Sequence, residues 1–300
     1  MRSVMRNWTW PWQDRHRRLV PIKAITFALA LLPALVLAVE WQTVGLGAEP
    51  VKAAVHIAGL WTIRILLMAL AVTPARSAFN WAEIMLVRRM IGVTALGYGL
   101  LHFCLFVALQ GFSPVQVATE IVSRWYLAVG FVALLGLVAL GVTSTNGWMR
   151  RLGKNWKRLH RLAYVIGALG LLHYFMQSKA NISEAVFTAG LFVWLMLWRL
   201  LAAGWRNRAV ALLGLALGSG VITAMLEAGW YAVATRVPAW RVWDANFQIA
   251  YGLRPGAWVA VATLAVGALS LAWLRVRPPP RRSGGARPLR RIQPADQPSA

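Results

Sequence analysis

The sequence predicts an all-α fold, a polytopic bundle of about eight transmembrane helices. Hydrophobic residues make up 59% of the 300 positions, and the mean hydropathy of +0.56 is high for a soluble domain. Several apolar runs reach the roughly 20 residues that a helix needs to cross about 30 Å of hydrocarbon. These runs keep a helical period and lack the alternation of membrane strands, so we expect helices and no barrel.

The spans follow one another along most of the chain, and we find no internal repeat. The basic, Trp-rich segment 1–19 precedes them. The tail 275–300 is rich in Pro, Arg and Gly, a composition typical of disorder. We predict spans at 20–40, 54–73, 90–110, 124–142, 157–177, 185–204, 209–234 and 255–274.

The net charge of +23 is unevenly distributed between the connections. Clusters of Lys and Arg occupy both terminal segments and every second connection, whereas the remaining connections carry fewer and mixed charges. The positive-inside rule therefore predicts that both termini are cytoplasmic. No separate soluble basic domain is present, which argues against nucleic acid as a partner. The single cysteine, Cys104, excludes an intramolecular disulfide and a cysteine-ligated iron–sulfur cluster.

Two histidines fall inside predicted spans at nearly equal depth. His102 in the third span and His173 in the fifth lie about 18 and 22 Å from the cytoplasmic ends of their helices. An imidazole from each of two helices at one level is the arrangement that holds a b-type haem by two axial ligands. Gly99 and Gly170, three residues before each histidine, would leave room for a porphyrin edge. Alternatively, these glycines only permit close helix packing.

His160 lies thirteen residues before His173, about 20 Å along a helix, which is too far to share one metal ion. A second haem would need a partner for His160 on the third span, where the sequence has Arg89. Arg89, Arg158 and Arg161 are candidates to pair haem propionates or a flavin phosphate. Alternatively, they extend to the membrane interface.

Arg64 falls near the middle of the second span, where an unpaired guanidinium is unfavourable. We predict that Arg64 faces the bundle and contacts a propionate or a quinone oxygen. A backbone carbonyl or Glu83 is the alternative partner. His56 and Glu227, near outer span ends, are predicted to lie at the membrane interface.

Four stretches together resemble a known family, the MsrQ-type haem-binding membrane subunits of the bacterial methionine sulfoxide reductase system. That family belongs to the ferric-reductase-like transmembrane superfamily. The resemblance covers roughly residues 20–205. The stretches are WTIRILLMALAVTP (61–74), RRMIGVTALGYGLLH (88–102), TSTN (143–146) and RRLGKNWKRLHRLAYVIGALGLLHYF (150–175).

The resemblance implies an electron-transfer subunit in the bacterial inner membrane. Its partner would be a periplasmic molybdopterin-containing catalytic subunit that reduces methionine sulfoxide in oxidised envelope proteins. Its electrons would come from a cytoplasmic flavin reductase or from quinol. Expected cofactors are one or two b-type haems, with FMN also associated with the family. The haem histidines of the family fall on His102, His160 and His173.

The resemblance also divides the chain. Members of the family end after about six spans, so residues 20–205 form a six-helix haem-binding core. Residues 206–274 are then two additional helices, and 275–300 a disordered cytoplasmic tail. No sulfoxide-reducing site is expected in this chain, because it lacks a soluble catalytic domain and Cys104 lies within a span.

Two other functions stay open at this point. Another ferric-reductase-like electron carrier is one, although the tail of about 25 residues is too short to fold into a flavin- and nicotinamide-binding domain. A non-redox transporter or structural membrane protein with incidental histidines is the other.

Overall fold

The structure, a computed structural model, describes residues 10–14, 16–178, 181–248, 250 and 252–278. Within these residues, eight helical segments are long and apolar enough to cross a membrane, as predicted. Residues 1–9 of the predicted N-terminal segment and most of the predicted tail lie outside the described residues. The α-helices are α1 Pro21–Gln42, α2 Pro50–Ala78, α3 Arg88–Leu109, α4 Pro114–Ser123, α5 Trp125–Val142, α6 Asn146–Leu152, α7 Lys154–Leu159, α8 Leu162–Gln177, α9 Ser183–Leu200, α10 Ala209–Ala234, α11 Ala239–Ala245 and α12 Pro255–Val276.

Local sequence explains where several helices begin and end. A proline opens each of α1, α2, α4 and α12, at the position where its missing N–H has no partner to lose. Ser113 caps α4 by accepting a hydrogen bond from the N–H of Gln116. Gly153, at φ +49°, separates α6 from α7. The span predicted at 157–177 is divided, because α7 ends at Leu159 and α8 begins at Leu162.

The helices pack mainly as pairs of consecutive spans. α2 packs with α3, α5 with α8, and α10 with α12, while α9 contacts α2, α8, α10 and α12. α9 therefore joins the six-helix part of the bundle to the two additional helices. The largest buried cluster lies among α2, α3, α5, α8 and α9, and includes Ile63, Leu66, Ala95, Leu137, Leu171 and Val186.

The Tyr98 side chain on α3 holds α1 to this bundle by hydrogen bonds to the backbone of α1. Pro33 interrupts the helical hydrogen bonds of α1. Next to it, the Tyr98 hydroxyl on α3 accepts a bond from the N–H of Ala34 and donates one to the carbonyl of Ala30, at 2.9 and 2.8 Å. Insertion of a side chain between such groups is a known cause of helix kinks.

The connections after the first, third, fifth and seventh spans lie at one end of the bundle, which we name the outer end. It carries the short helices α4 and α11. The opposite end, the inner end, carries α6, α7 and a 3-10 helix at Ala82–Leu86. Assignment of the inner end to the cytoplasm stays a prediction.

The two additional helices enclose a charged residue. The Glu227 side chain on α10 is fully buried, and its predicted position near the membrane interface stays a prediction. Its carboxylate pairs with Arg254 and accepts a hydrogen bond from the Asn246 amide at 2.7 Å. Burial of a carboxylate needs such partners, because an isolated charge in an apolar interior is strongly unfavourable.

Candidate functional site

A cavity of about 720 Å³ opens between α2, α3, α5 and α8 in the outer half of the bundle. Its deep wall is apolar, and polar side chains lie where these helices and their neighbours reach the outer end. A ligand here would be enclosed by hydrocarbon on most sides and by polar groups at one edge. The deep wall includes Leu60, Ile63, Leu66, Phe103, Leu134, Leu137 and Ile166.

His102 and His173, predicted as a pair, both line this cavity. Their ring centres are 6.3 Å apart, and the ring planes make an angle of 75°. Two imidazoles that share one metal, each at a metal–nitrogen distance of about 2 Å, place their ring centres about 6 Å apart. The observed separation therefore suits two axial ligands of one metal.

In each ring, Nδ1 is fixed by a backbone carbonyl of a neighbouring helix. Nδ1 of His102 lies 2.8 Å from the carbonyl oxygen of Val55, and Nδ1 of His173 lies 2.8 Å from that of Tyr126. A carbonyl only accepts hydrogen bonds, so Nδ1 must carry the proton in both rings. Each Nε2 then keeps the lone pair that a metal requires.

Gly59 and Gly130 make this contact sterically feasible, and the sequence analysis missed both. A Cβ at Gly59 would lie 2.9 Å from Nδ1 of His102, and one at Gly130 would lie 2.7 Å from Nδ1 of His173. Each glycine comes four residues after the carbonyl that accepts the bond. Each ring therefore rests on the bare backbone of the neighbouring helix.

The two halves of the cavity share one local pattern, which the sequence analysis did not detect. In both halves the histidine and its carbonyl partner are 47 residues apart. The sequence signal was the tetrapeptide Gly-Leu-Leu-His, present at 99–102 and at 170–173. The pair α2–α3 thus supplies one imidazole, and the pair α5–α8 supplies the other.

Gly99 and Gly170 also lie on the cavity wall. A Cβ at either would be 3.3 Å from a side chain of another helix, Leu134 or Ile63 respectively. These glycines therefore serve close helix packing and lie on the cavity wall, and room for a porphyrin edge stays a prediction.

Arg64 does not line the cavity. Its guanidinium pairs with Glu184 and lies 5.1 Å from the ring centre of Trp61. Glu184 does lie on the cavity wall, as does Tyr174. The alternative partner Glu83 is not the one that the structure pairs with Arg64.

His160 has different surroundings, at the inner end. Its ring stacks on Trp156 with 3.9 Å between ring centres, and Nε2 lies 3.3 Å from the Ser144 hydroxyl. The indole N–H of Trp156 donates to the carbonyl of Thr143 at 2.8 Å. His160 therefore ties the turn between α7 and α8 to the Thr-Ser-Thr-Asn connection.

The three other arginines that were predicted to pair with acidic groups of a cofactor also lie at the inner end, and they do not line the cavity. Arg89 donates to the side-chain oxygen of Asn146 at 2.6 Å, which joins α3 to α6. Arg158 and Arg161 are exposed. Their predicted role in binding a propionate or a flavin phosphate stays a prediction.

The cations on the cavity wall are Lys52 and Arg124, together with the titratable His56. The sequence analysis named neither Lys52 nor Arg124. The Tyr126 hydroxyl, which accepts a hydrogen bond from Arg124 at 3.2 Å, raises the pKa of Arg124, and Glu120 adds to this. His56, which was expected at the membrane interface, lines the cavity near the outer end of α2.

These residues fit a haem better than a bare metal ion. Within the described part of the chain, no group of three or more His, Cys, Asp or Glu is placed to hold a metal. Two imidazoles alone leave most of the coordination sphere to another donor, and a porphyrin supplies four nitrogens in the plane between two axial ligands. The apolar walls and the polar outer edge suit a macrocycle with two carboxylates.

Comparison with known proteins identifies the family of the chain. The sequence model of the family described as ferric reductase like transmembrane component matches residues 24–171. No solved structure matches the chain.

Several curated relatives carry the name protein-methionine-sulfoxide reductase heme-binding subunit MsrQ. The one from Xanthomonas axonopodis pv. citri is 41% identical over 188 residues, which are 60% of this chain and 86% of the relative. One from Xanthomonas campestris pv. campestris is 46% identical over 156 residues, 51% of this chain and 71% of the relative. The Brucella anthropi relative is 38% identical over 185 residues, 61% of this chain and 84% of the relative. Sequence identity at this level over most of each relative shows that the chain belongs to the MsrQ-type haem-binding subunits of the ferric-reductase-like membrane family.

Proposed function

We propose that the chain is a haem b-containing electron-transfer subunit. It passes electrons across the bacterial inner membrane to a periplasmic molybdopterin-containing enzyme that reduces methionine sulfoxide in oxidised envelope proteins. The observation that carries the proposal is the pair His102 and His173, with ring centres 6.3 Å apart and both Nδ1 atoms held by carbonyls. The names of the relatives support the choice of partner.

The chain's own residues perform three tasks in this proposal. The imidazoles of His102 and His173 would hold the iron of a bound haem, which would supply one-electron redox chemistry. The carbonyls of Val55 and Tyr126 fix the orientation and tautomer of the two rings and make each Nε2 a better donor. The apolar walls exclude water, which contributes to the redox potential.

The position of the cavity supports electron delivery at the outer end. Its polar edge is formed where several helices and connections reach that end. The distribution of basic connections supports a periplasmic outer end, with both termini cytoplasmic. An electron acceptor in the periplasm would then approach the nearest edge of the cofactor.

Electron uptake at the inner end needs a further group, since the paired histidines lie about 20 Å from the inner surface. We place a second haem or an FMN near His160, with Arg89, Arg158 and Arg161 as candidate partners of its acidic groups. A cytoplasmic flavin reductase or quinol would be the donor. The basic residues of α6 and α7 support a site for an anionic group there.

The sulfoxide reduction belongs to the partner. Cys104, the single cysteine of the chain, is exposed on α3, and its side chain does not line the cavity. We therefore propose that this chain carries electrons and does not itself act on methionine sulfoxide.

The first test is the absorption spectrum of the detergent-purified chain, oxidised and dithionite-reduced, with a pyridine haemochrome titration. We expect a b-type Soret band and a sharp α-band, and the haem-to-protein ratio distinguishes one site from two. The His102→Ala, His173→Ala double variant is the matched control. A chain that stays colourless after reconstitution with haem would favour the transporter or structural alternative.

A further inference from the structure

The haem cavity has charged side chains at one edge only. Lys52, Arg124, Glu120 and Glu184 all lie on its wall, and all four belong to helix ends or connections at the outer end. The deep wall is formed by aliphatic and aromatic residues and glycine, with one threonine. A porphyrin has a matching asymmetry, because its two carboxylates lie on one edge of an otherwise apolar ring.

The two cations occupy equivalent places in the two halves of the cavity. Lys52 precedes Val55, the carbonyl partner of His102, by three residues on α2. Arg124 precedes Tyr126, the carbonyl partner of His173, by two residues at the start of α5. Each half therefore supplies one imidazole and, within one turn of the carbonyl that orients it, one cation.

Both cations have carboxylate partners that are easily exchanged. Lys52 pairs with Glu49 at 2.7 Å, and their side chains are 51% and 68% exposed. Arg124 pairs with Glu120 at 2.7 Å, and their side chains are 52% and 27% exposed. Exposed ion pairs contribute about 1 kcal/mol or less, so replacing the glutamate with another carboxylate costs little.

Other cations of the bundle are committed elsewhere. Arg254 pairs with the fully buried Glu227. Arg199 donates to the carbonyls of Leu195 and Leu70, at 2.5 and 2.6 Å.

We propose that Lys52 and Arg124 each bind one haem propionate, so that the acidic edge of the porphyrin faces the outer end of the bundle. This inference rests on the proposed haem-binding function and adds the orientation of the cofactor. It assigns the propionates of the outer haem to two residues that the sequence analysis did not consider, in place of Arg64. The ligand class is a dicarboxylic porphyrin, with one carboxylate for each half of the cavity.

The test is an absorbance titration of the detergent-purified full chain, freed of haem, with haem b and with its dimethyl ester, which lacks both negative charges. The variants are Lys52→Gln and Arg124→Gln. Loss of one charge-assisted contact is expected to weaken haem b binding by roughly tenfold in each variant. The affinity for the dimethyl ester is expected to stay at the wild-type value, since an ester offers no charge to lose.

Three matched variants exclude a merely structural role. Glu120→Gln removes the present partner of Arg124 but keeps the cation, so haem b affinity should be unchanged or higher. Arg124→Lys should restore most of the affinity lost in Arg124→Gln. Arg241→Gln changes a cation on α11 that contacts Trp240 and does not line the cavity, and it should have no effect.

Each result decides the matter. Equal weakening of haem b and its ester, or a Glu120→Gln effect as large as that of Arg124→Gln, would mean that the cations only support the fold. Unchanged haem b affinity in both variants would overturn the assignment while the proposed function stands. A wild-type chain that binds neither compound would overturn the proposed function and this inference together.

Discussion

His102 and His173 differ from His160 in what surrounds the ring on the side of Nε2. In all three residues Nδ1 lies near a backbone carbonyl, that of Val55 for His102, of Tyr126 for His173 and of Trp156, at 3.2 Å, for His160. The rings of His102 and His173 border the cavity, whereas Nε2 of His160 meets the Ser144 hydroxyl and its ring stacks on Trp156. All three residues are intramembrane or near-membrane histidines by sequence, yet only His102 and His173 line the cavity.

The difference shows that the groups around a histidine, more than its depth, determine whether it can bind a metal. A carbonyl at Nδ1, which all three histidines have, leaves Nε2 with a lone pair, but only His102 and His173 also have a glycine beneath the ring and a cavity beside it. A hydroxyl at Nε2 and an indole against the ring hold the imidazole in place as part of a turn. For His160 to ligate iron, its contact with Ser144 would have to be exchanged.

The largest expected effect is at the outer pair. His102→Ala or His173→Ala removes one of two axial ligands, and we expect loss of the outer haem in either variant. Haem content by pyridine haemochrome and the low-spin spectrum of the purified chain measure this. His16→Ala, in the N-terminal segment, is the control and should keep full content. Retention of full haem content with a bis-histidine spectrum in either cavity variant would contradict the pairing.

The next effect concerns the inner site. His160→Ala should keep the outer haem, because His160 does not line that cavity. We expect it to lose electron uptake from the inner side, measured as the rate of haem reduction by a flavin reductase added to inverted membrane vesicles. Dithionite should still reduce the outer haem fully. Unchanged reduction kinetics would remove His160 from the electron path.

A smaller effect is expected from the glycines beneath the rings. An added Cβ at Gly130 would contact Nδ1 of His173 at 2.7 Å, and one at Gly59 would contact His102 at 2.9 Å. Each ring must then leave its preferred rotamer, so Gly130→Ala and Gly59→Ala should weaken haem binding about tenfold, or about 1.4 kcal/mol. Absorbance titration of the haem-free chain measures the affinity.

The matched control for these glycines is Gly97 on α3, where an added Cβ would meet nothing within 4 Å. Gly97→Ala should leave haem affinity unchanged and stabilise the helix by up to about 1 kcal/mol. Similar haem affinities in Gly130→Ala and Gly97→Ala would show that the close approach to His173 is unimportant.

The smallest expected effect is at Ser144. Ser144→Ala removes the partner of His160 Nε2, and we expect a loss of about 1 kcal/mol in the free energy of unfolding with no change in the outer haem. Thermal unfolding in detergent, with a double-mutant cycle against His160→Ala, measures the coupling. A coupling energy of zero would show that this contact does not stabilise the inner end.

Much of the fold and part of the site could be predicted from the sequence. Hydrophobic length alone places the eight spans, because the thickness of the bilayer fixes the length of an apolar helix. Matched depth on two helices was enough to pair His102 with His173. Both inferences use the spacing of residues along single helices, which the sequence contains directly.

Contacts between helices could not be predicted in the same way. Gly59 and Gly130 gain their role only because a ring from another helix rests on them, and Lys52 and Arg124 only because their helix ends meet at one cavity. Arg64 was expected to contact a cofactor, but its partner Glu184 is distant in sequence. A search for the repeated Gly-Leu-Leu-His would have related the two halves and pointed to both glycines.

The ion pair between Glu227 and Arg254 bears on how the last two spans enter the bilayer during synthesis. A lone charged side chain within a membrane helix opposes insertion, by about 3 kcal/mol at the helix centre. Glu227 lies within α10, about two turns before its outer end, whereas Arg254 is made only after the following connection, immediately before α12. We therefore expect that α10 does not enter the bilayer until Arg254 has been synthesised. The ion pair can then form, and α10 and α12 enter together with the charge of Glu227 neutralised. The test is translation, in the presence of membrane vesicles, of two truncated chains, one that ends before Arg254 and one that ends after it. Efficient insertion of α10 from the shorter chain would refute the expected delay.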